Sequence, residues 1–169
     1  MNRETILKQL KDFPYFNKKI IKELCLEHNL SLSTVNSYIA RSIKKKELIR
    51  LKRGIYTTNH FYKNNIGDIG YQFYIANKLR EPSYISSWTA LDYYNMTTNA
   101  IKTITSITTK TTRSFSNKIG SFTYNTIKKD LFNNFSLEKS KSGLKYFIAS
   151  PSKALFDLIY LNTNQFKKR

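Results

Sequence analysis

Apolar positions recur at helical spacing in the first part of the chain and at strand spacing beyond it. Over residues 3–13, Ile6, Leu7, Leu10 and Phe13 share one face among polar neighbours. That pattern predicts an amphipathic helix, stopped by Pro14. A second helix is predicted from Lys18 to His28, with Asn17 as its cap. Phe16 and Ile21 have the spacing of a hydrophobic staple, and Ile20, Ile21, Leu24, Cys25 and His28 make the inward face. Asn29-Leu30 reads as a tight turn. A third helix follows from Leu32 to Lys46, capped by Ser31 or Ser33. Val35, Ile39 and Ile43 face inward, and the opposite face carries Ser33, Asn36, Ser37, Arg41 and Lys44. The period then shortens. Residues 48–51 and 55–57 read as strands, joined by Lys52-Arg53-Gly54 as a three-residue hairpin loop in which Gly54 takes positive φ. Three short helices and a hairpin predict a winged helix-turn-helix over residues 1–57.

Residues 58–67 are polar, end in Gly67 and read as a linker. Residues 68–169 predict a second domain. A helix from Asp68 to Arg80 stops before Pro82. Tyr84-Ile85 is a short strand, and Ser87 caps a helix bearing Trp88, Leu91 and Tyr94. Strands are predicted at 101–110, 119–127 and 144–149. Ser150-Pro151 opens a last helix with Ala154, Leu155, Leu158 and Ile159 inward. Trp88 is expected to anchor this domain's core, and Asp157 to pair with Lys153 at the surface. The predicted fold class is α+β: an N-terminal winged helix-turn-helix followed by a small mixed α+β domain.

Charge turns this architecture toward a partner. Lys+Arg is 29 and Asp+Glu is 11, a formal net charge of +18 with pI ≈ 10.0. Self-repulsion on that scale favours a polyanionic partner, nucleic acid first and an anionic membrane surface second. A lysine-rich coding bias is the third reading. Residues 1–57 hold 13 Lys+Arg against 5 Asp+Glu, a net of +8, and the second domain is basic too. Hydrophobic content of 40%, with only 5 Gly and 3 Pro, excludes a disordered chain. The single cysteine, Cys25, excludes an intramolecular disulfide and reads as a core thiol. No apolar run reaches the ~18 residues of a membrane span, and the N-terminus reads as a helix rather than a signal peptide. A cytoplasmic protein without membrane contact is expected.

The candidate chemistry is recognition rather than catalysis. The major groove admits one helix, and side chains near its N-terminus read base edges. Ser33, Thr34, Asn36 and Ser37 lie there, and an asparagine can pair bidentately with adenine. Arg41, Lys44 and Lys45 follow where phosphates would lie, and Arg50, Lys52 and Arg53 sit on the wing. A winged helix serving protein contacts, or a non-specific nucleic-acid binder, are the alternatives. The basic wing tip argues for DNA. No catalytic residue, metal site or cofactor is expected: there are 2 histidines, no phosphate loop and no Gly-x-Ser-x-Gly. Asp130 with Glu138-Lys139 is the one acidic pairing spaced for a Mg²⁺-dependent nuclease, and Ser140 stands where such a site wants lysine.

Three segments carry a family resemblance. Leu48-Ile49-Arg50-Leu51-Lys52-Arg53-Gly54-Ile55-Tyr56 resembles the wing of AbiEi-type antitoxins, transcriptional regulators of type IV toxin–antitoxin systems. Tyr84-Ile85-Ser86-Ser87-Trp88-Thr89-Ala90-Leu91 and Ser150-Pro151-Ser152-Lys153-Ala154-Leu155-Phe156-Asp157 are similar to two later segments of that family, in the same order. The resemblance implies a winged helix that binds repeated sites in its own promoter, and a C-terminal domain needed for antitoxin action. It implies a functional pairing with a nucleotidyltransferase-like toxin, with no direct contact required. It also suggests that Asp157 holds a polar network. Lys46 stands where the family often has glycine, and Ser152 where it often has glutamate. Many members continue past the last helix, so at Arg169 a short or truncated member is expected.

Overall fold

The computed structural model describes residues 3–29, 31–98 and 102–166, with the backbone alone described at 3, 4, 32, 33 and 164–166. The fold is mixed α+β and divides into two compact units. The first comprises Met1–Gly67 with Asn117–Ile119, and the second Asp68–Ser116 with Gly120–Arg169.

The first unit runs α1 (Arg3–Leu10), β1 (Phe16–Asn17), α2 (Lys18–Glu27), α3 (Leu32–Lys44), β2 (Leu48–Lys52), β3 (Ile55–Thr58) and α4 (Asn59–Asn64). Its three-stranded sheet has the order β1-β3-β2, antiparallel throughout. Ile6 and Leu10 of α1, Ile21 and Cys25 of α2, and Val35, Tyr38 and Ile39 of α3 close one core over Phe16, Leu48 and Tyr56 of the sheet. Burial raises the pKa of the Cys25 thiol, which keeps it a neutral core group.

Local chemistry accounts for most of these boundaries. Asn17 caps α2, its Oδ1 accepting from Ile20 N at 3.0 Å, and both staple residues, Phe16 and Ile21, are fully buried. Asn29 follows α2 with φ 55°, while Leu30, the other half of the expected turn, lies outside the described residues. Ser31 occupies the cap of α3, where it makes no side-chain cap hydrogen bond. α3 ends in a Schellman motif: Lys46 N donates to Ile43 O and Glu47 N to Ser42 O, each at 2.9 Å, and Lys46 takes φ 58°.

Four features depart from the sequence reading. α1 stops at Leu10 rather than at residue 13, because the residue before Pro14 must leave the helical region, and Phe13 is 46% exposed. Phe16 and Asn17 also form the edge strand β1, paired with Tyr56 and Ile55. The hairpin turn is Arg53-Gly54, two residues long, with Lys52 opposite Ile55 and a bulge between Arg50 and Lys52; Gly54 has φ 82° as expected. The stretch read as a linker is largely α4, started by Thr58, whose hydroxyl accepts from Phe61 N at 3.0 Å and donates to Lys11 O at 3.3 Å.

The second unit runs α5 (Ile69–Leu79), β4 (Ser83–Ile85), α6 (Ser87–Tyr93), β5 (Thr103–Thr108), β6 (Arg113–Ser116), β7 (Ser121–Thr126), a 3₁₀ turn at Lys129–Leu131, β8 (Phe135–Lys139), β9 (Lys145–Ala149) and α7 (Pro151–Phe166). The six-stranded sheet has the order β6-β7-β5-β4-β9-β8. β5 runs parallel to β7 and β4 parallel to β9, and the remaining neighbours are antiparallel. β4 lies inside the sheet and all three of its residues are buried, so no apolar–polar alternation marks it. β6 and β8, the two edge strands, are polar or half-exposed and were not expected.

α6 and α7 bury different residues from those predicted. Trp88 is 45% exposed and not the core anchor; Ser87, Thr89, Ala90 and Leu91 are buried in its place. α6 packs against α7 and β5, where small side chains fit and an indole does not. The Thr89 hydroxyl accepts from Thr105 N at 2.9 Å and donates to Thr103 O at 3.3 Å. The cap of α6 is Ser86, one residue earlier than expected, and Ser87 begins the helix with φ 55°. On α7, Ala154 is buried but Leu155 is 45% and Ile159 57% exposed, whereas Lys153 and Asp157 are inside. Asp157 Oδ2 accepts from Ser86 Oγ at 2.7 Å and Tyr84 OH at 3.0 Å. Its Oδ1 makes no conventional hydrogen bond and is compensated by an ion pair with Lys153 Nζ at 2.8 Å. Lys153 Nζ also donates to Leu131 O at 2.7 Å. The pair is therefore a buried network and not a surface contact. Desolvation, with the Asp157 charge beside it, holds the Tyr84 hydroxyl protonated far above its usual range.

Candidate nucleic-acid interface

The first unit gathers its exposed basic side chains around α3 and the β2–β3 hairpin. At ~100° per residue, Asn36, Ser37, Ala40, Arg41 and Lys44 fall on one stripe of α3, opposite buried Val35, Tyr38, Ile39 and Ser42. All five are exposed. The stripe is about 12 Å long at ~1.5 Å per residue, with short polar side chains at its start and cations at its end. α2 and α3 are separated by residues 28–31 alone.

Thr34 departs from the expected set. It is half-buried, and its hydroxyl is 2.7 Å from Ser31 Oγ, so it closes the first turn of α3 instead of facing outward. Ser33 lies in that turn, and its side chain is outside the described residues. Lys45 is the exposed C-cap of α3. Arg50 is the exposed residue of β2, Lys52 is half-buried at its end, and Arg53 is exposed in the two-residue turn. The hairpin thus carries Arg50 and Arg53 outward while Leu48, Ile49 and Leu51 are buried.

Electrostatically, these cations are uncompensated by neighbours. Among the described residues, no carboxylate lies within ion-pair distance of Arg41, Lys44, Lys45, Arg50 or Arg53, whereas Lys19 is paired with Glu23 at 3.7 Å on α2. Sequence reasoning missed a further basic group on α4. Lys63 and His60 line a cleft with Lys11, Lys46 and Glu47. The signal was the Thr58 cap three residues before Phe61, hidden by the polar composition of the segment.

The described residues contain no group of three or more His, Cys, Asp and Glu side chains able to hold a metal ion. Asp130 lies in the 3₁₀ turn and Glu138 on β8, where Glu138 Oε1 accepts from Ser136 Oγ at 3.1 Å. No helix among the described residues is long and apolar enough to cross a membrane. No protein-family model matches the chain, and no curated protein matches it.

Proposed function

We propose that this protein is a sequence-specific, double-stranded-DNA-binding transcriptional repressor whose first unit acts as a winged helix-turn-helix. One observation carries the reading: the outward stripe of α3 and the hairpin present Arg41, Lys44, Lys45, Arg50 and Arg53 without acidic partners among the described residues, beside exposed Asn36 and Ser37. In this reading α3 enters the major groove, with Asn36 and Ser37 at base edges. The later cations and the hairpin hold phosphates on either side. Six to eight phosphate contacts would give a log–log salt slope of about −5 to −7.

The resemblance to AbiEi-type regulators supports two extensions. The repressor acts on repeated sites upstream of its own operon, and the second unit serves as antitoxin to a nucleotidyltransferase-like toxin, with no direct contact required. Restored growth on co-expression with a toxin encoded beside it tests the second extension, and unrelieved toxicity removes it.

The deciding experiment for the first is fluorescence anisotropy of the whole chain on its own upstream region and on a scrambled duplex of equal length, at several salt concentrations. The expected result is a preference above about 10³ for the upstream region, with a steep salt slope. Equal, salt-sensitive binding to both duplexes leaves a non-specific binder. No binding at about 100 mM salt leaves a winged helix that serves protein contacts.

A further inference from the structure

The second unit carries an uncharged apolar face on a strongly cationic molecule. α7 contains two charged residues, Lys153 and Asp157, and both are buried, so the helix presents no charge outward. What it presents is Leu155, Phe156 and Ile159, each between 43% and 57% exposed. At ~100° per residue these three lie on one stripe, flanked by exposed, uncharged Ser152, Asn162 and Thr163. α6 packs beside α7 and exposes Trp88, and residues 83–98 hold no lysine or arginine. Elsewhere the chain spreads 29 such residues over its length, so two neighbouring helices without an exposed cation stand apart from the rest.

Phe156 is held in place on this face. Lys153 Nζ lies 4.7 Å from its ring centroid, and the Tyr160 ring is stacked with it at 6.0 Å. A ring fixed in this way loses little freedom on meeting a partner. The exposed parts of Trp88, Leu155, Phe156 and Ile159 amount to roughly 400 Å², on side chains of about 150–250 Å² each. A stable interface takes ~800 Å² from each partner. Half of that area as apolar side chains, with uncharged polar ones beside them, matches the centre of an interface, where charged residues are depleted. Charge decides the partner. DNA, an acidic protein or an anionic lipid surface gains from cations, and this face supplies none. A second copy of a chain carrying +18 is repelled wherever its lysines lie and approaches closely only where they are absent.

We propose that the α6–α7 face joins two copies of this chain in a symmetric dimer. A two-fold contact sets the same stripe against itself. Ile159, the most exposed of the three, lies nearest the axis, with Leu155 and Phe156 packed against the second copy. Such a dimer is held by apolar burial against charge repulsion, so salt, which screens the repulsion, strengthens it. A contact between opposite charges weakens with salt instead. The dimer rests on the second unit alone and stands whether or not the first unit binds DNA.

The test is sedimentation equilibrium of the whole chain from about 1 to 100 µM, at about 0.05 and 0.5 M salt. A species of twice the 19.9 kDa chain mass should appear, with a Kd of roughly 10 µM. That Kd should fall several-fold at the higher salt. Ile159→Asp sets two carboxylates against each other at an exposed position and should weaken dimerisation at least about tenfold, with an unchanged Tm. Ile66→Asp alters a residue of the first unit that is just as exposed, at 61%, and should leave the Kd unchanged. The proposal is overturned by a monomer at every concentration and salt, by a dimer that weakens with salt, by one that Ile159→Asp leaves intact, or by one that Ile66→Asp weakens as much. A monomer that co-sediments with phosphatidylcholine–phosphatidylglycerol vesicles, and loses them in Ile159→Asp, also overturns it and gives the face to a lipid surface.

Discussion

Lys46 has φ 58° at the position after the α3 C-cap, a conformation that costs a side chain with Cβ about 1 kcal/mol or more. Its two Schellman hydrogen bonds hold it there. Glycine would take this conformation without that cost. Lys46→Gly should raise the unfolding free energy by about 1 kcal/mol in urea denaturation, with an unchanged slope. A loss of stability would mean that the lysine side chain contributes more than its backbone costs. Lys153 and Asp157 present the opposite case, two charges enclosed at 5% and 0% exposure. Asp157→Ala strands the ammonium and two hydroxyl donors and should cost about 3–5 kcal/mol. The double change Lys153→Met with Asp157→Leu should cost clearly less, because no charge remains buried. Denaturation midpoints of the single and double variants decide it, and equal losses would show that the charge is not what matters.

At the scale of elements, α5 begins in a built anchor. Asp68 Oδ1 accepts from Gly70 N at 2.9 Å, and Oδ2 from Ser142 Oγ at 2.8 Å and Ser142 N at 3.3 Å. A Cβ on Gly70 would sit 2.4 Å from Ser140 Cβ, so the helix start and the β8–β9 turn meet as closely as glycine allows. Burial works to raise the Asp68 pKa, but these hydrogen bonds, with one from Ser140, win and hold the carboxyl below its usual range. A depressed folded-state pKa stabilises the fold above the unfolded value of about 3.9, and this stabilisation is lost as pH falls through the folded value. Between pH 7 and pH 3 the wild type should therefore lose more stability than Asp68→Asn, measured by urea unfolding at each pH. Equal losses would remove Asp68 from the acid response. The pair of elements proposed for DNA binding separates into two functions by the same logic. Arg53→Ala on the hairpin should weaken binding to every duplex and flatten the salt slope by about 1. Asn36→Ala on α3 should chiefly reduce the preference for the upstream site. Unchanged binding by Arg53→Ala removes the hairpin from the interface, and an unchanged preference by Asn36→Ala removes α3 from the groove.

For the whole molecule, a formal net charge of +18 with only three ion pairs among the described residues implies self-repulsion in the folded state. Ionic screening shortens from about 30 Å at 0.01 M salt to about 8 Å at 0.15 M. The Tm should accordingly rise by roughly 3 °C or more over that interval in calorimetry. A Tm that is flat or falls with salt would show that the cations are compensated in ways the ion pairs do not reveal.

Local signals placed α1, α2, α3 and the hairpin, because each is an amphipathic or turn pattern: Asn17 as a cap, Val35 and Ile39 at four-residue spacing, Gly54 in the turn. It also named Asn36, Ser37, Arg41, Lys44, Lys45, Arg50 and Arg53 as exposed positions, since a polar face opposite an apolar one is visible in the chain itself. Tertiary structure decided the rest. The edge strands β6 and β8 owe their conformation to neighbours far along the sequence. Trp88 is outside because α6 turns Ser87, Thr89, Ala90 and Leu91, not the indole, toward its neighbours α7 and β5. Lys153 and Asp157 are inside because Tyr84, Ser86 and Leu131 supply hydrogen-bonding partners that hydrophobicity along one helix cannot reveal. The uncharged stripe of α7 arises in the same way, because the packing that encloses Lys153 and Asp157 leaves Leu155 and Ile159 outside.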